Sequence, residues 1–128
     1  SDYLRSALHE VAHWCVAGAH RRRLPDYGYW YSPDGRDVEQ QQAFFAVEAR
    51  PQAIERCFCE AIGIPFSPSV DNVGAQIAPQ QLRRFEARIQ EYCEQFERTG
   101  LPHRAARFVT ALRCMSRLSR EPASDIAA

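Results

Sequence analysis

The stretch Asp2-Tyr3-Leu4-Arg5-Ser6-Ala7-Leu8-His9-Glu10-Val11-Ala12-His13-Trp14-Cys15-Val16 decides the reading of this chain. Apolar residues fall at Leu4, Leu8, Ala12, Cys15 and Ala19, which is helical spacing. This predicts a helix from Asp2 to about Arg22, with Asp2 as N-cap and Arg21 to Arg23 suited to the C-terminal dipole. Inside it lies His9-Glu10-Val11-Ala12-His13, an HExxH motif. Four residues is little more than one turn, so both imidazoles leave one face roughly 6 Å apart along the axis, a separation that one metal ion accommodates. Glu10 points to the side, where it can meet metal-bound water. A chance HExxH arises in a chain of this composition about once in a hundred, so context must carry the motif further.

Working outward, Asp37 and Gln40 have the spacing of a capping box, and Phe44, Val47, Ala49, Ala53, Ile54 and Phe58 continue a helical pattern to about Ile62. Pro51 interrupts it, predicting a kink or two abutting helices at Arg50. Gly63 to Pro79 reads as a loop with room for a short extended piece. From Gln80 to Thr99, Leu82, Phe85, Ile89, Tyr92, Cys93 and Phe96 mark an amphipathic helix closed by Gly100. Pro102 opens a last helix carrying Ala105, Phe108, Val109, Leu112, Met115 and Leu118, followed by a frayed tail from Glu121. Between the first two helices, Tyr27, Tyr29, Trp30 and Tyr31 sit among Pro25, Gly28, Pro33 and Gly35 as an ordered loop with one short strand. The expectation is a mainly α fold, α+β with minor short strands, forming a single domain over residues 1–128 around an HExxH helix with a zincin-like metal site.

Of the 128 residues 45% are apolar and 25% charged; 16 arginines, no lysine and 16 acidic residues sum to zero. That balance disfavours a general nucleic-acid binder, and no apolar run is long enough for a bilayer. The arginine runs Arg21 to Arg23 and Arg83-Arg84 read as solvated helix faces. Five cysteines without a paired CxxC array disfavour a disulfide framework and favour a reducing cytoplasm. The chain opens at Ser1 and its one methionine is Met115, which fits a protein lacking an N-terminal segment of its full length.

Two histidines hold a metal weakly, so a third ligand is expected from another element. Glu48, within Val47-Glu48-Ala49-Arg50-Pro51-Gln52, is the best candidate, because its apolar neighbours draw that turn inward. His20 lies roughly 10 Å beyond His13 along the axis, Cys15 is rotated away, Cys57 and Cys59 face different directions, and His103 reads as a cap. Two histidines and a carboxylate leave coordination positions open. With zinc, Glu10 serves as general base of a metallopeptidase; with ferrous iron, dioxygen and substrate take those positions.

The blocks His9 to Cys15, Gly28-Tyr29-Trp30-Tyr31-Ser32-Pro33-Asp34-Gly35-Arg36, Val47 to Ala53 and Ser69-Val70-Asp71-Asn72-Val73 together resemble the bacterial elongation factor P hydroxylase family across essentially the whole chain. The segment Pro102 to Leu112 also fits. The resemblance implies a non-haem, iron(II)-dependent monooxygenase that uses dioxygen to hydroxylate the β-lysylated lysine of elongation factor P. It implies His9, His13 and Glu48 as the metal triad and Glu10 as a residue that supports a ligand or handles protons. It also implies a segment ahead of the HExxH helix, absent here, and a lysine where this chain has Arg50. A long, amine-bearing substrate calls for acids and aromatic walls, for which Tyr29, Trp30, Tyr31, Asp34 and Asp71 are available. Each also has an ordinary role in turns or packing. The rival readings are a zinc metallopeptidase and a non-enzymatic adaptor with structural histidines.

Overall fold

A computed structural model of the chain describes residues 2–18, 38–70 and 77–120. They form four helices in the order α1 (Asp2–Val16), α2 (Val38–Ile62), α3 (Pro79–Thr99) and α4 (His103–Arg120). The described residues contain no strand. Where a short extended piece was expected after Gly63, residues 64–70 and 77–78 are irregular, and Pro65 and Pro68 each withhold a ladder donor. The aromatic loop with its expected strand, and Asp37 of the capping box, lie outside the described residues.

Helix α2 is the centre, packing against α1, α3 and α4. It has to be buried on several sides, and its sequence complies: Phe44, Phe45, Ala49, Ala53, Ile54, Phe58 and Cys59 are all buried. Pro51 sits inside this one continuous helix, so the two-helix alternative is overturned. Small residues mark its contacts: Ala12 of α1, Ala49 and Ala53 of α2 and Ala105 of α4 are completely buried, which suits close approach of helix axes. Aromatic pairs fill the wider gaps. Phe45 stacks on Phe85 of α3 at 4.4 Å, and Phe58 meets Phe108 of α4 edge-on at 4.8 Å.

Helix α1 lays Leu8, Ala12 and Cys15 into the core. It starts at Asp2 itself, rather than after it, and ends at Val16, short of the expected Arg22; the last turn closes with Ala17 N–H donating to the His13 carbonyl at 3.0 Å. Gly18, a poor helix residue, follows at once. Leu4, which the spacing placed on the core face, is 40% exposed. Helix α4 likewise outruns the core, leaving Met115 and Leu118 at 65% and 70% exposure.

Glycines end two helices. Gly100 closes α3 as expected, at φ 89° with its N–H on the Phe96 carbonyl at 2.8 Å. Gly63 closes α2 at φ 75°: its N–H reaches the Glu60 carbonyl at 3.3 Å while Ile64 N–H reaches Cys59 at 3.0 Å, the paired bonds of a Schellman motif. Among the described residues no helix is long and apolar enough to cross a membrane.

Candidate metal centre

The site grows out of a polar line on the buried part of α2. On α2, Gln41, Glu48, Gln52 and Glu55 are buried, and their spacing places them in one line along the helix. From α1, His9 and His13 meet this line one turn apart, their ring centroids 4.7 Å from each other at 62°. His13 Nε2 lies 2.9 Å from Glu48 Oε1, and His9 Nε2 lies 3.8 Å from Glu48 Oε2. One ligand atom from each of His9, His13 and Glu48 falls within 4.8 Å of the other two.

These residues fit a divalent metal. Bonds near 2.1 Å set neighbouring ligand atoms about 3.0–3.5 Å apart, so closure asks only small side-chain movements. The donor set, two imidazoles and one carboxylate, suits zinc or ferrous iron and leaves positions open. Electrostatics prepare it. Burial would raise the Glu48 carboxyl, but the hydrogen bond and charge of His13, the Gln52 amide and the charge of His9 outweigh that and hold it below the usual range. Burial would lower His9, yet its hydrogen bond to Glu55 and the charges of Glu48, Glu55 and Glu10 raise it above its ordinary value.

Two of the ligands, His9 and Glu48, have a further polar partner outside the triad. Glu55, only 3% exposed, accepts from His9 Nδ1 at 2.6 Å, which turns Nε2 toward the triad. The Gln52 amide donates to Glu48 Oε2 at 3.1 Å and to the Ser69 carbonyl at 2.7 Å, while its oxygen accepts from Ser69 N–H at 3.0 Å. Arg5 Nη2 lies 3.8 Å from Glu55 Oε2 and donates to the Ser67 carbonyl at 2.8 Å. Sequence reasoning missed Glu55, Gln52 and Arg5 as site residues. The available signal was the spacing of Glu48, Gln52 and Glu55, three polar residues on one line of α2.

Beside His9 opens a cleft of about 510 Å³, lined by Arg5, Ser6, Glu10, Glu55 and the wall Ser67, Pro68 and Ser69. Glu10 is exposed at this cleft and contributes no atom to the triad. The expected substrate contacts Tyr29, Trp30, Tyr31, Asp34 and Asp71, and also His20, lie outside the described residues. His103 is exposed at the start of α4. All five cysteines are unbridged; Cys15 is buried, and burial pushes its thiol up.

A family profile described as elongation factor P hydroxylase matches residues 1–123. The chain is 43% identical over 110 residues to a Haemophilus influenzae protein named elongation factor P lysine hydroxylase. The alignment covers 86% of this chain but 61% of that relative, so the chain spans about three fifths of the relative's length. No solved structure matches it. With the profile running through both ligand-bearing helices and on to the end of α4, the chain belongs to the elongation factor P hydroxylase family.

Proposed function

We propose that this chain is a metal-dependent protein-lysine hydroxylase acting on elongation factor P, its residues 1–128 forming one domain around a zincin-like HExxH site. The observation that carries the reading is the convergence of His9, His13 and Glu48 from two helices in a chain of this family. We assign these three as ligands of iron(II), and the β-lysylated lysine of elongation factor P as substrate. The reaction inserts one atom of dioxygen into a C–H bond of that side chain, while the other leaves as water with two protons and two electrons from a reductant. Bound iron supplies the dioxygen-binding and redox chemistry.

The chain's own residues do the rest. His9 presents Nε2 because Glu55 accepts from its Nδ1. Glu48 keeps its carboxylate charged and oriented through Gln52. The cleft beside His9, about 510 Å³, has the volume to take an amine-bearing side chain, and Glu10 in its lining handles protons between solvent and the site. Tyr29, Trp30, Tyr31, Asp34 and Asp71 remain the proposed contacts to the substrate's amines and methylenes. The reading places the reaction in the cytoplasm, where elongation factors work.

Incubating the iron(II)-loaded protein with β-lysylated elongation factor P and air, then measuring the factor's intact mass, tests this. A gain of one oxygen atom, lost in His9→Ala, His13→Ala and Glu48→Ala, is the expected result. No gain, with zinc-dependent cleavage of a peptide library that Glu10→Gln abolishes, overturns it in favour of a peptidase.

A further inference from the structure

We infer that Glu55, Arg5 and Gln52 are positioning residues that tie two of the three metal ligands to one strut, the wall Ser67 to Ser69. The inference rests on the metal-site reading above and adds what holds that site in shape. Two separate arms reach the same short segment. In the first, Ser67 accepts from Arg5 through both its carbonyl, at 2.8 Å, and its hydroxyl, at 3.3 Å; Arg5 pairs with Glu55, and Glu55 holds His9. In the second, Ser69 exchanges two backbone bonds with the Gln52 amide, which also donates to Glu48.

The chemistry of the groups argues for a purpose beyond packing. A helix that buries the Glu48 and Glu55 carboxylates and the Gln52 amide in one line loses solvation at each of them. Glu48, Gln52 and Glu55 each bond a metal-binding side chain or the strut. Gln52 is fully buried, and its fixed amide leaves Glu48 one orientation. Glu55 is nearly as buried, and a carboxylate accepting from Nδ1 makes the opposite nitrogen the ligand atom. Because Ser67, Pro68 and Ser69 also line the cleft, the strut that shapes the ligand set is the surface a substrate side chain would press on.

The test is titration of the metal-free protein with Co(II), reading affinity and visible absorption, which reports the ligand field without substrate or dioxygen. Glu55→Ala and Gln52→Met are expected to weaken binding about 10- to 100-fold and to alter the spectrum. Arg5→Met, which touches neither ligand, is expected to weaken it several-fold, and Glu55→Gln to fall between Glu55→Ala and the wild type. Arg88→Met removes an α3 arginine bonded to Glu91, away from the strut, and should bind as wild type. Wild-type affinity and spectrum in folded Glu55→Gln, Gln52→Met and Arg5→Met overturn the inference, whether or not Glu55→Ala folds. Wild-type protein that binds Co(II) no better than His9→Ala sinks the metal reading instead, a result separable from failure of the strut alone.

Discussion

Glu55 lies 2.6 Å from His9 Nδ1 although the two are 46 residues apart in the chain, joining α1 to α2 at the point where the ligand set begins. The docking of these helices and the shape of the site are therefore one event, and metal uptake should report on folding.

Metal should stabilise the protein. At one hundred times its dissociation constant a ligand that binds only the folded state adds about 2.7 kcal/mol. For a chain of this size that raises the melting temperature by roughly 10 °C. Differential scanning fluorimetry with Co(II) or anaerobic Fe(II) should give this rise in the wild type, reverse it with chelator, and give none in His9→Ala or Glu48→Ala.

Gln52→Leu replaces a fully buried amide by a side chain of similar size. It removes three hydrogen bonds, two of them to the Ser69 backbone. Urea denaturation of the metal-free protein should register a loss of about 1–3 kcal/mol. A variant as stable as wild type would mean that water satisfies Ser69 without help.

The metal-free protein should lose stability on both sides of a window in pH. His9 is raised above 6.5, so its contribution is complete below that value and fades as pH climbs through the folded value. Glu48 is lowered below 4.5, so its contribution is complete above that value and fades as pH falls through the folded one. Together the two groups favour the range from 4.5 to 6.5. Chemical denaturation at several pH values should place the maximum there, and Glu48→Gln should flatten the acid side.

Ala49→Leu tests the packing of α2 beside the ligand Glu48. Ala49 is completely buried, and added methylenes in a packed contact cost about 1–3 kcal/mol. The variant should melt earlier and bind Co(II) more weakly, because Glu48 is its neighbour. Unchanged binding with lowered stability would show that the ligand set absorbs the shift.

Much of this arrangement was legible in the residues. Apolar spacing located four helices, Gly100 located the end of α3, and the HExxH together with an inward-drawn Glu48 located three side chains that do converge. The errors have physical causes. Pro51 left a kink and two abutting helices both open, and burial on several sides carries α2 through it as one helix. Leu4, Met115 and Leu118 follow helical spacing yet lie where their helices run past the core. Glu55 and Arg5 gained their roles only from the register of α1 on α2, which no local pattern encodes. The five residues expected to contact substrate stand on stretches outside those described.

The Schellman turn at Gly63 sends the chain back so that Ser67 and Ser69 return to the side of α1 and α2 that carries the ligands. The three ligands and the bonds that tie His9 and Glu48 to Glu55, Gln52 and Ser69 all come before position 71. The two later helices thus act as scaffold and offer freedom for protein engineering. Solubilising charges on α3, or a fluorophore attached to exposed Cys114 of α4, can be introduced without rewriting the chemistry.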